Sequence, residues 1–478
     1  MTFSSEEVFP AVSTASIGSI YCAMSFVWST ISCSPKVPFG ASCQHPRVNM
    51  TSAASKPHVY SVGSNSDSFG DPPSTDLIPK LRAEIEPWLA AVFQAEHLAL
   101  LLGSGFTTGI SSIAKVTAAG MGTVKFGCTL EDKVNEYAKS TAKKCGRGAA
   151  NIEDQLRAAI ELHQGLRVAG DPRAKEWDKA LNTALGSFLD SILNTEYELR
   201  TALLSDSNEG LSAKHMLTSF LLSFASRVPS RERLHVFTTN YERLIEYGCD
   251  LVGLRIVDRF VGQLHPVFRA SRVDIDVHYN PPGIRGEPRY LEGVLKFTKL
   301  HGSLDWRFEH GMLTRVPISF GAAKGHPELP KEPFETVMVY PNPAKDLETS
   351  EYPYAELFRD FSAGLCRPNS VLVCYGYGFG DDHINRVIRD MLTIPSTHLV
   401  IISYSDADGR IPDFISKTGR TAQTSLLIGS HFGDISTLVR NYLPKPAIDL
   451  ISHRRAELLK NRGQGPPANS AAPEVQNV

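Results

Sequence analysis

Short apolar runs that end in polar or glycine-bearing turns recur along this chain. Between them lie stretches whose apolar residues are spaced three and four apart. The first run, His97–Leu102, stops at Gly103-Ser104-Gly105. Comparable runs at Leu234–Thr239, Val294–Leu300, Val337–Tyr340, Val371–Tyr375, His398–Ser403 and Ser425–Ile428 are apolar on both faces, which predicts strands covered by a layer on each side. Helical spacing marks Ser74–Gln94 and the segments 241–248, 353–365, 382–392 and 432–442. Strands alternating with helices predict the α/β class, with a Rossmann-like doubly wound parallel sheet.

One block breaks the alternation. From about residue 129 to 228 the pattern is helical throughout, in Glu131–Lys144, Asn151–Leu166, Arg173–Leu204 and Ser212–Arg227. That is too long for one crossover, so the block is read as an inserted helical module. The expected organisation is an irregular leader over 1–74, one large domain over 75–445 carrying the insertion, and a C-terminal helix and disordered tail over 446–478. The stretches 262–292 and 306–335 read as loops and hairpins over the sheet.

Composition narrows the classes. Lys and Arg number 49 against 51 Asp and Glu, a net charge of −2, so no global basic field recruits nucleic acid and no direct contact with it is expected. None of the 8 cysteines forms a C-x-x-C pair or a zinc-finger spacing, which fits reduced thiols in a cytoplasmic protein. The apolar stretch 17–31 is short, broken by serines and without a basic flank. It is read as a loose leader rather than a signal peptide or anchor, and Met50 reads equally well as an N-terminus; no membrane association is expected.

Candidate chemistry sits at four strand ends. Gly103-Ser104-Gly105-Phe106-Thr107-Thr108-Gly109 lies between a strand and a helix, where glycines admit a pyrophosphate to the helix N-terminus, or simply make a tight turn. No Gly-Lys-Ser/Thr follows, so it is not a Walker loop. In Thr238-Thr239-Asn240-Tyr241-Glu242 the Asn suits a helix cap or a carboxamide that orients a ribose hydroxyl or a water. His301 in Lys299-Leu300-His301-Gly302-Ser303 suits a structural role or general-base work near neutral pH. Tyr375-Gly376-Tyr377-Gly378-Phe379-Gly380-Asp381-Asp382-His383 again joins a strand to a helix, with Asp381 or Asp382 as its cap. Asp381, Asp382 and His383 are adjacent, and adjacent residues seldom converge on one ion without further partners, so no metal is expected.

Taken in order, these four segments resemble the sirtuin-like NAD-binding family, and more closely its divergent bacterial branch in antiphage defence. The resemblance spans roughly residues 95–440. The paired Cys-x-x-Cys zinc ribbon of protein-deacetylating sirtuins is missing, and so is a Pro-Asp-Phe-Arg continuation after Gly105. The resemblance therefore implies an NAD+ hydrolase that cleaves the nicotinamide–ribose bond to nicotinamide and ADP-ribose, or cyclises the product, rather than a deacylase. It implies Asn240 and His301 as catalytic, and Gly103, Ser104, Gly105, Thr239, Gly302, Gly376, Tyr377, Gly378 and Ser403 as binding NAD+. Asp406 would join Ser403 at the adenosine end, with Asp305 and Trp306 near nicotinamide or merely packed. Self-association as a homo-oligomer, or a partner such as a HerA-type ATPase or an Argonaute-like DNA sensor, is expected to control it. The competing reading is a non-catalytic NAD or ADP-ribose-binding regulatory subunit of a complex with an ATPase.

Overall fold

Period-two alternation decides where the side chains of the central strands go. The computed structural model describes residues 58–63, 65–70, 72–144, 148–271, 276–279, 289–330, 332–336 and 352–445. Most of the expected leader, the strand expected at Val337–Tyr340 and the C-terminal helix and tail lie outside these residues. Among the described residues nine strands make one sheet: β1 (His58–Val62), β2 (Asn65–Phe69), β3 (His97–Leu102), β4 (His235–Thr238), β5 (Arg255–Val257), β6 (Val294–Lys299), β7 (Ser370–Tyr375), β8 (His398–Ser403) and β9 (Thr424–Ile428). Their spatial order is β2-β1-β9-β8-β7-β3-β4-β6-β5. From β9 across to β5 every neighbouring pair is parallel.

On β3, Leu98, Leu100 and Leu102 join the core on one face, while Ala99 and Leu101 join the core on the other. Two-sided burial is what a strand without polar positions requires. Helices α1 (Ile78–Phe93), α2 (Ser104–Ile113), α3 (Glu131–Lys144), α4 (Ile152–Val168), α5 (Arg173–Leu204), α6 (Asn208–Ala225), α7 (Leu244–Val252), α8 (Tyr354–Leu365), α9 (Asp382–Met391) and α10 (Arg410–Thr418) surround it. The first face is covered by α1, α2, α6 and α7 through Ile85, Phe106, Phe220 and Ile245. The second is covered by α8, α9 and α10 through Phe361, Ile388 and Phe414. This is the doubly wound α/β architecture read from the sequence.

The chain runs from β3 outward to β4 on one side and later to β7 on the other. The winding direction therefore reverses at β3, and the loops after β3, β4 and β7 flank one crevice. That reversal positions the site.

Two expectations change. The segment expected to be irregular up to residue 74 contains the hairpin β1–β2, in which β1 pairs antiparallel with β9. His58, Tyr60 and Val62 alternate inward, but five residues are too short a period to read, and β2 is almost wholly polar. The edge of β9 makes them strands. The helical block also divides. Helices α3, α4 and the first part of α5 build their own core around Leu156, Trp177, Leu181 and Phe188. Helix α6 and the end of α5, through Leu199, Leu203 and Met216, belong to the sheet's core. Sheet and module fall within one compact unit.

The hairpins expected over the sheet form a second sheet from Phe260–Val261, Val267–Phe268, Trp306–Glu309 and Met312–Arg315. Among the described residues no helix is long and apolar enough to cross a membrane.

Candidate functional site

The loop after β3 is built by glycines pressed against glycines. Gly103 N–H donates to the Tyr375 carbonyl at 3.1 Å, and Gly105 N–H to that of Gly376 at 3.0 Å. A Cβ on Gly105 would lie 2.6 Å from the Gly376 Cα, and one on Gly103 would lie 2.5 Å from the Gly376 carbonyl oxygen. Gly376 itself has φ +62°, in the region that favours glycine. Gly105 and Gly376 therefore let two loops touch backbone to backbone, and neither lines the cleft. Gly376→Ala is expected to cost on the order of 2–4 kcal/mol through overpacking and backbone strain. Urea unfolding measures it, and an unchanged midpoint would refute this account of the contact.

Asn240 is 6% exposed and follows β4. Its amide nitrogen donates to the Gly103 carbonyl at 3.1 Å and to Thr107 Oγ1 at 3.2 Å. Helix α7 begins only at Leu244, with Arg243 at the cap position, so the capping role left open for Asn240 does not apply. Both amide hydrogens are used inside the protein, which leaves Oδ1 as the atom Asn240 can offer a ligand.

His301, 3% exposed, follows β6. Its Nε2 lies 3.2 Å from Nε2 of His383, in the first turn of α9. One imidazole donates and the other accepts. The Tyr241 ring stands 6.3 Å from that of His301, and its phenol donates to Glu153 Oε1 at 3.0 Å. Burial and then Glu153 push that phenol well above its usual range, so Tyr241 stays neutral. Asp381 occupies the cap position of α9, yet its side chain makes no cap hydrogen bond.

These residues surround a cleft of about 230 Å³ lined by Gly103, Ser104, Thr239, Asn240, His301, Tyr377 and Gly378 among others. Of the binding residues expected from sequence, the structure brings Gly103, Ser104, Thr239, Tyr377 and Gly378 to the cleft. Gly105, Gly302, Gly376 and Ser403 do not line it. Ser403 instead packs behind the turn at Gly429–Gly433, its carbonyl accepting from Gly429 N–H at 2.9 Å. Trp306 packs against Phe260 and Phe268 in the second sheet, and Asp305 is held by Arg315 and Arg243 at 3.7 Å and 3.9 Å.

Sequence reasoning missed two parts of the lining. One is Arg410, which opens α10 and donates to the Gly378 carbonyl at 2.7 Å; among the described residues it is the one Lys or Arg that lines the cleft. Its signal was the charged turn Asp406–Arg410, after yet another strand. The other is the wall supplied by the module, Asn151 and Glu153 of the α4 start with Phe188, Ile192 and Thr195 of α5. These sit in ordinary amphipathic helix patterns and carried no signal.

A buried ion pair ties that wall to the site. Glu196, fully buried on α5, accepts from Arg243 Nη2 at 2.6 Å, Nε at 3.1 Å and the backbone N–H at 2.8 Å.

Residues 234–422 match the family model of the SIR2-like domain. The match supports a sirtuin-like family and, with it, NAD-dependent activity in general. Asn240, His301, Tyr377 and Arg410 fall inside the SIR2-like segment. The Gly103–Gly105 loop and the module's wall precede it, and the fold alone joins them to it. Among curated proteins none matches the chain.

Proposed function

We propose that this cleft binds NAD+ and cleaves its nicotinamide–ribose bond, giving nicotinamide and ADP-ribose. One observation carries the reading: the loops after β3, β4, β6 and β7 converge on a single cleft that holds a rigid carboxamide and His301, one member of a buried histidine pair. Nicotinamide leaves as a neutral base from a cationic donor, and positive charge develops on the ribose. The protein's task is then to position the sugar, control water and accept one proton.

On this reading Gly103 and Ser104 face the pyrophosphate, where the N-terminus of α2 favours negative charge. Asn240 Oδ1 accepts from a ribose hydroxyl or the attacking water. His301 takes the proton. Both its nitrogens then carry hydrogen, and Nε2–H donates to His383 at 3.2 Å, so the new charge finds a partner inside a buried site. Glu153 and Tyr241 narrow the cleft on the module side. Unchecked turnover would exhaust NAD+, which fits an antiphage effector released by self-association or by a partner ATPase.

The test is to incubate the full chain with NAD+ and quantify nicotinamide and ADP-ribose, alone and with candidate partners. Cyclic product in place of ADP-ribose would mean that water is excluded. Binding of NAD+ without turnover under every condition would replace this reading with a sensor. Arg410→Ala is expected to raise KM for NAD+ by ~10-fold or more while kcat changes little, because a hydrogen bond to a charged group is worth ~1.5–3 kcal/mol. An unchanged KM would show that Arg410 makes no hydrogen bond to a charged group of NAD+.

A further inference from the structure

We infer that His301, Asp381 and His383 form a binding site for a divalent transition-metal ion of the zinc type. One ligand atom from each lies within 4.8 Å of the other two. Adjacency of Asp381, Asp382 and His383 in sequence argued against convergence, and the fold answers that objection by bringing His301 from the end of β6 to face α9.

The geometry suits an ion. Two imidazole nitrogens bound at ~2.0–2.1 Å to one tetrahedral zinc stand a little over 3 Å apart, and here the two Nε2 atoms are 3.2 Å apart. Both rings are buried, and their Nε2 atoms face each other. Asp381, at the cap position of α9, lines the cleft. Two imidazoles and one carboxylate make a three-ligand set, and its remaining position opens on the cleft, where water or a substrate oxygen completes the coordination. The donor set, neutral nitrogen plus one carboxylate, favours Zn2+ or Co2+ over Mg2+ or Ca2+.

The inference rests on the proposed function for its consequence. An ion on both Nε2 atoms replaces the hydrogen shared by the two rings. The remaining hydrogen of His301 then sits on Nδ1, and the ring has no lone pair left to take a proton. A bound ion holds the hydrolase off.

The experiment titrates Zn2+ and Co2+ into the purified full chain, following binding by calorimetry and Co2+ by its visible spectrum. His383→Gln and Asp381→Asn, which keep side-chain size, are measured beside it with thermal unfolding to verify their fold. One ion per chain is expected, with affinity reduced at least ~10-fold in each folded variant. No binding, or binding unchanged in both variants, overturns the site. Nicotinamide release should fall as the site fills. Release at full rate with the ion bound overturns His301 as a ligand. A chain that binds the ion but cleaves no NAD+ even when stripped of metal leaves the site standing and removes the hydrolase reading, whereas cleavage without ion binding does the reverse.

Discussion

Replacing His301 with alanine lowers the rate of nicotinamide release from NAD+ by ~10²–10⁴-fold, the range for loss of a positioned general base. The fold is expected to survive, because the site is supported from β6 and the cleft side is already partly open. Equilibrium binding of NAD+ should persist within a few-fold, so the loss falls on kcat. Asn240→Ala acts differently. It removes the donor to the Gly103 carbonyl and to Thr107 Oγ1, so it loosens the first loop as well as the contact to ligand. The Gly103 carbonyl keeps the Phe106 N–H at 3.0 Å, so the loss is that of net hydrogen bonds, about 0.5–1.5 kcal/mol each. Asn240→Ala should therefore raise KM and lower kcat together, with a measurable loss in urea unfolding. If His301→Ala retains full turnover, the buried pair with His383 is structural and the catalytic assignment fails.

The second large effect is on stability. Glu196→Ala leaves the Arg243 guanidinium, itself 7% exposed, without its main partner. Removing one side of a buried ion pair typically costs about 3–5 kcal/mol. Arg243 also donates to the Ile318 and Ser319 carbonyls, which carry no charge, and Asp305 at 3.9 Å, shared with Arg315, compensates it only in part. A paired replacement, Glu196→Leu with Arg243→Met, should recover most of the stability, because it buries no charge. Because Glu196 lies one residue from Thr195 in the cleft wall, the single variant should also raise KM for NAD+. Equal denaturation midpoints for wild type and Glu196→Ala would show that the pair contributes nothing net.

The sheet was legible because its central strands are predominantly apolar on both faces. Runs such as His97–Leu102 and His398–Ser403 can be satisfied only between two helical layers, and both are strands over those same residues. Helix α5 was legible from end to end over Arg173–Leu204. The candidate site was legible where chemistry sits beside a strand end, as at Asn240 and His301. It was not legible at Ser403, where the same signal, a polar residue ending a strand, leads to a packed turn.

What the sequence determined by itself is the alternation of elements and the kind of chemistry each loop can offer, because both depend on residue type and local spacing. Which loops meet was decided by the tertiary structure. The reversal of winding at β3 brought segments more than a hundred residues apart to one crevice. It set His383 3.2 Å from His301 across 82 positions of chain. It also turned the module into a wall of the cleft and gave Gly105 and Gly376 to each other rather than to a ligand. No local period encodes such distances, since they follow from how helices pack on both faces of one sheet.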